Sequence, residues 1–173
     1  INLLSKLGVK YLIITNSAGS LQVDNPPGHF MIANGHMDFT FRNDPHDPRI
    51  NSDQMFHHDE LIDIAKSASR NLNLNTCVGC YCWTLGPSYE TPAEIQDMAR
   101  LGGSAVGMST VPEIISAAKS GIKSLTISCL TNYAAGISAT PLTHEEVVSN
   151  ANRFDSQFSA LLEQVILKIS ELS

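Results

Sequence analysis

Arg100-Leu101-Gly102-Gly103-Ser104-Ala105-Val106-Gly107-Met108-Ser109-Thr110-Val111-Pro112-Glu113 is the stretch that decides the fold. A basic residue followed by glycine closes a helix. The short apolar run that follows reads as a strand buried on both faces, and Thr-x-x-Glu with a proline inside it opens the next helix. Helix, glycine, strand, small polar turn and helix together form the repeating unit of an α/β protein.

The same unit appears on either side. Lys6-Leu7-Gly8-Val9 and Lys119-Ser120-Gly121-Ile122 again carry a cation near a helix end and glycine just past it. Strands are expected at 11–15, 105–108 and 124–130, with further strands near 29–33 and at 76–85. Thr91-Pro92-Ala93-Glu94, Thr110-Val111-Pro112-Glu113 and Thr143-His144-Glu145-Glu146 match the capping box. Helices are expected at 59–71, 92–101, 111–120 and 145–172. Ile1, Leu3, Leu4 and Leu7 already stand at helical spacing, so the chain is expected to open inside an amphipathic helix and to be part of a longer protein. Residues 21–51 hold Pro26, Pro27, Pro45 and Pro48 and read as a long irregular loop after the 29–33 strand.

At 173 residues the chain fits one domain, 1–173. With 43% hydrophobic and 16% charged residues it is globular rather than disordered. A net charge of −6 leaves no basic footprint for nucleic acid or an anionic membrane. No apolar run approaches the ~20 residues of a membrane helix. Cys77, Cys80 and Cys82 look at first like a metal or redox cluster. On a strand, however, Cys80 and Cys82 share one face and Cys77 takes the other. Buried free thiols in a reducing cytoplasm fit better, and no metal is expected.

Ligands of a parallel sheet bind beyond the carboxyl ends of its strands. There the sequence puts Thr15-Asn16-Ser17-Ala18-Gly19, Gly86-Pro87-Ser88-Tyr89-Glu90, Gly107-Met108-Ser109-Thr110 and Thr131-Asn132-Tyr133. The Asn16–Gly19 turn either admits an anion to backbone N–H groups or is an ordinary strand-to-loop turn. Glu94 serves the capping box, so Glu90 has no local structural task and is available to accept a ligand N–H. Asn132 offers a donor and an acceptor, which suits a heterocycle with a carbonyl beside a ring nitrogen. Tyr81 and Tyr89 are core or stacking residues. His144 starts a helix, and His57 and His58, beside Asp59 and Glu60, read as solvated surface. Neither a G-x-G-x-x-G nor a P-loop sequence follows a strand.

Taken together, Thr15-Asn16-Ser17-Ala18-Gly19-Ser20, Gly86-Pro87-Ser88-Tyr89-Glu90-Thr91, Val106-Gly107-Met108-Ser109-Thr110-Val111-Pro112-Glu113, Leu130-Thr131-Asn132 and His144-Glu145-Glu146-Val147 resemble the trimeric purine nucleoside phosphorylases. The resemblance implies a three-layer α/β fold with a mixed, mostly parallel central sheet flanked by helices, and a cytoplasmic homotrimer. It also implies reversible phosphorolysis of 6-oxopurine nucleosides, inosine and guanosine, with inorganic phosphate as co-substrate and no cofactor. Carried over by residue, Glu90 accepts the purine N1–H and Asn132 bonds N7 and O6. Tyr89 packs on the base and Gly107 lets the backbone approach it. Tyr81 and Met108 line the ribose, His144 reaches its 5′-hydroxyl, and Ser109 with the Ser17 N–H contacts phosphate. Gly35-His36-Met37-Asp38 departs from the family's Asp-His-Ile-Asn. The family's N-terminal portion, with a Ser, a His and an Arg on phosphate, has no counterpart in these 173 residues. A non-catalytic purine-binding module is the alternative.

Overall fold

The computed structural model describes residues 1–42, 46, 48–138 and 144–172, the side chains of His144 and Glu146 excepted. Five strands and five helices are found among them: α1 Asn2–Lys6, β1 Tyr11–Ser20, β2 Phe30–Asp38, α2 Asp59–Asn71, β3 Thr76–Trp83, α3 Pro92–Arg100, β4 Gly103–Gly107, α4 Val111–Lys119, β5 Lys123–Tyr133 and α5 His144–Ser170. Gly102 and Gly121, at φ +98° and +70°, sit past the ends of α3 and α4 in the left-handed region. Only glycine enters that region without a Cβ penalty, so these two residues stop each helix and turn the chain into the next strand.

The sheet is mixed, and it closes on itself in the order β1-β4-β3-β2-β5. β1–β5, β2–β3 and β3–β4 run parallel, while β1–β4 and β2–β5 are antiparallel. An open sheet is what the apolar strands alone suggest. Closure comes from length and bulges. β1 and β5 each run past their expected ends, so that Gly19 and Ser20 of β1 pair with Val106 and Ala105 of β4. Register shifts at Ala18/Gly19, Ala33/Gly35 and Cys80/Tyr81 bend the strands, as extra residues in a ladder do. The 16–19 segment is therefore strand, not a turn.

Three buried clusters tie helices to this sheet. Leu61, Ala65, Leu161 and Val165 of α2 and α5 pack on Phe30, Ile32, Leu125 and Ile127, with Phe30 stacked on Phe158 at 5.2 Å. Ile95 and Met98 of α3 cover Met37, Cys80, Cys82 and Val106. Val111 of α4 closes over Ala18, Met31, Tyr81 and Leu130. Each Val, Leu, Ile, Phe or Met among these, fully buried, stabilises by about 1.5–3 kcal/mol. Cys80 and Cys82 thus share one cluster while Cys77 packs against another, as strand alternation requires. Among the described residues no helix is long and apolar enough to cross a membrane.

Of the three expected capping boxes, the one at Thr91 forms. Its hydroxyl accepts from the Glu94 N–H at 3.3 Å, and the Glu94 carboxylate accepts from the Thr91 N–H at 2.7 Å. The Thr143 box lies outside the described residues. At Thr110 the expectation fails: φ is +83° and the side chain makes no cap bond. Its hydroxyl is engaged by Asn16 Nδ2 at 2.8 Å and lies 3.0 Å from Ser109 Oγ, so a bond from β1 claims the oxygen the helix would have used.

Candidate active site

The end of β1, the end of β4, the last residues of β5, the loop before α3 and the first turn of α5 together enclose a cavity of about 240 Å³. Ser17, Ala18, Gly19, Gly107, Met108 and Ser109 form one part of its wall, and Tyr89, Glu90, Thr131, Asn132 and Val147 form the other. The expected strand ends do converge here: parallel β1 and β5 bring Gly19 beside Asn132, and the short antiparallel pairing of Gly19 with Val106 sets the end of β4 against the end of β1.

Asn132 owes its direction to a bulge. The β1–β5 ladder matches Ala18 with Leu130 and then Gly19 with Asn132, skipping Thr131. The extra residue turns the strand and brings both Thr131 and Asn132 to the wall. The amide is 5% exposed; its Oδ1 accepts from Thr131 Oγ1 at 3.0 Å and its Nδ2 donates to the Tyr133 carbonyl at 2.9 Å. A primary amide has two donors and two acceptor lone pairs, so one of each remains for a ligand. Asn150 of α5 ties the segment down by donating to the Thr131 carbonyl at 2.7 Å.

Glu90 is not without local ties, as the sequence had suggested. Thr84, 8% exposed and just past β3, donates its hydroxyl to Glu90 Oε1 at 2.6 Å. The Thr84 N–H is itself fixed on the Gly107 carbonyl at 3.0 Å. Strand pairing is in this way transmitted to the carboxylate. Nothing in the sequence marks Thr84, because its partner lies six residues away across an irregular loop. Val147 was also not anticipated; it comes to the wall because α5 begins beside the cavity.

The other expected residues divide. Tyr89 and Met108, 42% and 37% exposed, stand at the mouth. Ser109 lies on the wall, as does Ser17, which is exposed. Tyr81 does not line the cavity. It is fully buried behind Gly107, where a Cβ added to that glycine would come within 2.2 Å of the phenol oxygen. The absence of a side chain at Gly107 therefore serves Tyr81 first. The Tyr81 hydroxyl lies beside Ser109 and Thr110 without reaching hydrogen-bond geometry, and burial raises its pKa. His144 begins α5, and its side chain lies outside the described residues. No lysine or arginine is on the described wall.

A second hollow of about 470 Å³ adjoins the first through Tyr89 and Glu90 and is bounded by Phe39, Phe41, Thr84 and Glu94. Behind β2, His36 and His57 are 4% and 3% exposed, and their Nδ1 and Nε2 atoms are 2.9 Å apart. His57 is thus core, not the solvated surface its acidic neighbours suggest. The 53–58 segment folds back on β2, and the His36 backbone bonds Asn51 in both directions, at 3.0 and 2.8 Å. Burial lowers both imidazoles to about 4. The four cysteines are free thiols. Burial pushes Cys77 and Cys129 up to about 11, and a hydrogen bond to Cys80, then burial, raises Cys82. Among the described residues no three His, Cys, Asp or Glu side chains are grouped to hold a metal.

Comparison with known proteins places this fold in a family. The phosphorylase superfamily profile matches residues 1–167. Purine nucleoside phosphorylase 1 of Geobacillus stearothermophilus is 35% identical over 99% of this chain and 65% of its own length. The 6-oxopurine nucleoside phosphorylase of Pyrococcus furiosus is 37% identical over 84% of the chain and 60% of its own. The structure of Schistosoma mansoni purine nucleoside phosphorylase in complex with inosine superposes with a TM-score of 0.83 at 27% identity, covering 95% of this chain and 63% of that one. The chain therefore spans somewhat under two thirds of the length of these relatives. A profile match over nearly all of its residues, on the fold just described, makes this chain a member of the phosphorylase superfamily.

Proposed function

We propose that the chain is the base-binding part of a purine nucleoside phosphorylase acting on 6-oxopurine nucleosides, with phosphate as co-substrate and no cofactor, in a cytoplasmic homotrimer. The observation that carries this reading is the pairing of Glu90 and Asn132 on one wall, each with hydrogen-bonding capacity the protein leaves unused. In this reading Glu90 Oε2 accepts the purine N1–H. Asn132 bonds N7 and O6. Tyr89 covers the base. Ser109 and the Ser17 N–H meet phosphate, Met108 faces the ribose with Tyr81 bracing it through Gly107, and His144 takes the 5′-hydroxyl.

In the reaction a phosphate oxygen bonds C1′ as the C1′–N9 bond breaks. The electron pair leaves with the purine, which takes up a proton to become neutral base. Only interactions that strengthen as negative charge builds on the departing purine accelerate this step. The donor on Asn132 is such a group. An amide also selects: a site built to bond a 6-oxo group and N1–H rejects a base lacking them, because its buried groups would go unpaired.

The second reading, base binding without turnover by this chain, is favoured by the lack of a lysine or arginine on the described wall. One assay separates the two. Phosphate-dependent hypoxanthine release from inosine, lost in Asn132→Ala, is the result expected for the enzyme. Hypoxanthine binding with no turnover supports the second reading, and no binding of either ligand refutes both.

A further inference from the structure

We infer that Thr84 is a positioning residue for substrate selection: its hydroxyl fixes the Glu90 carboxylate so that one oxygen is held by the protein and the other is presented to the base. The inference rests on the purine reading of Glu90 given above.

Three observations carry it. Thr84 Oγ1 lies 2.6 Å from Glu90 Oε1 but 3.5 Å from the Gly107 carbonyl. A hydroxyl has a single proton, and the shorter contact to an ionised acceptor takes it. Thr84 cannot follow the carboxylate if that moves, because the residue is 8% exposed and its N–H is bonded to the Gly107 carbonyl at 3.0 Å. Finally, Glu90 stands between two hollows, of about 240 and 470 Å³, and lines both. A glutamate has three rotatable side-chain bonds, and in such a place it has room to swing away from the base. The Thr84 bond restricts that swing. Among the described residues no other hydrogen bond to the Glu90 carboxylate is found, so the restraint depends on Thr84.

The consequence is specific to ligands that use Glu90. Thr84→Val keeps the shape and β-branching of the side chain and removes the donor. Hypoxanthine affinity, measured by calorimetry on the full chain, should fall about tenfold, which corresponds to ~1.4 kcal/mol. Thr84→Ser restores the hydroxyl and should recover most of the loss. Purine, which lacks the 6-oxo group and the N1–H, should bind Thr84→Val and the parent protein equally, if weakly. On a Glu90→Gln background the Thr84→Val effect on hypoxanthine should shrink to less than twofold. A Thr84→Val loss of the same size for both ligands, or undiminished with Glu90→Gln, would overturn the inference and make Thr84 merely structural. Unchanged hypoxanthine affinity in Thr84→Val would overturn it as well. If the parent protein binds no hypoxanthine at all, the purine reading falls and the inference falls with it, and that outcome is distinct from the others. Thermal unfolding of each variant is read in parallel, and should Thr84→Val be unfolded, Thr84→Ala, which also removes the hydroxyl, takes its place in every comparison.

Discussion

His36 and His57 are buried at 4% and 3% exposure and bond each other at 2.9 Å, whereas Asn132, buried equally well at 5%, is bonded at each of its two polar atoms and still has a donor and an acceptor to spare. Both regions bury polar groups next to bent strands. The histidine pair is bonded within the protein: each ring meets the other, Phe56 covers His36 edge-on, and the Ala33 backbone bonds the His57 ring. The cavity spends only part of what it holds. A buried polar group that is fully partnered contributes to the fold, while one left partly unpartnered is costly unless a ligand completes it. That difference, rather than burial or residue type, separates the structural site from the functional one.

The comparison breaks most easily through pH. Both imidazoles are held neutral with pKa values near 4, by burial first. Asp38 pulls His36 upward, and His36 and His58 push His57 further down. In the unfolded chain a histidine takes up its proton near 6.5, so between pH 6.5 and about 4 the unfolded state binds more protons than the folded one. Stability is full above 6.5 and falls as pH drops through this window, by about 4 kcal/mol from pH 7.5 to 5 for the pair. Denaturant unfolding at those two values measures it, and His57→Gln should remove roughly half of the dependence. Equal unfolding midpoints at pH 7.5 and 5 would mean that the pair is not held neutral.

A smaller effect tests whether the cavity wall has any slack behind it. In Gly107→Ala the new methyl would sit 2.2 Å from the Tyr81 hydroxyl oxygen, and Tyr81, fully buried, has nowhere to retreat. Overpacking of this kind costs about 2 kcal/mol. Adding Tyr81→Phe removes the clashing oxygen and leaves the ring carbon at 3.0 Å as the nearest contact, so the double variant should recover at least half of the stability. Failure of Tyr81→Phe to rescue would place the strain elsewhere.

Helix ends, strands and the converging polar edge were legible because each depends on residues adjacent in sequence. Gly102 ends α3 and the Thr91 box opens it, and both are local. What the sequence hid are contacts made across the chain. Thr110 has the capping pattern, yet Asn16, 94 residues away, bonds its hydroxyl. His57 has acidic neighbours, yet His36, 21 residues away, defines its surroundings. Thr84 was silent because the partner that gives it meaning is reached only through a loop. Tyr81 carries a resemblance to a ribose contact, but strand alternation sends it behind the wall. Closure of the sheet was hidden for the same reason, since one-residue bulges leave no mark on an apolar pattern.

Gly19 offers the finest test of the difference between the two regions. It is paired opposite Asn132 at the bulge, and a Cβ there would lie 3.0 Å from Asn132 Nδ2 and 3.5 Å from Ala134. The overlap is mild and falls on the end of a side chain, so the fold should absorb Gly19→Ala at under about 1 kcal/mol. The amide cannot absorb it as easily, because its Nδ2 is tied to the Tyr133 carbonyl and its Oδ1 to Thr131. A shift of a few tenths of an ångström therefore misdirects the spare donor toward the base while leaving the internal bonds intact. Hypoxanthine affinity should fall about fivefold, or ~1 kcal/mol, with a thermal midpoint close to that of the parent. A large drop in stability with unchanged affinity would reverse the assignment: Asn132 would then be the self-satisfied group, like the histidines, and not the one held open for a ligand.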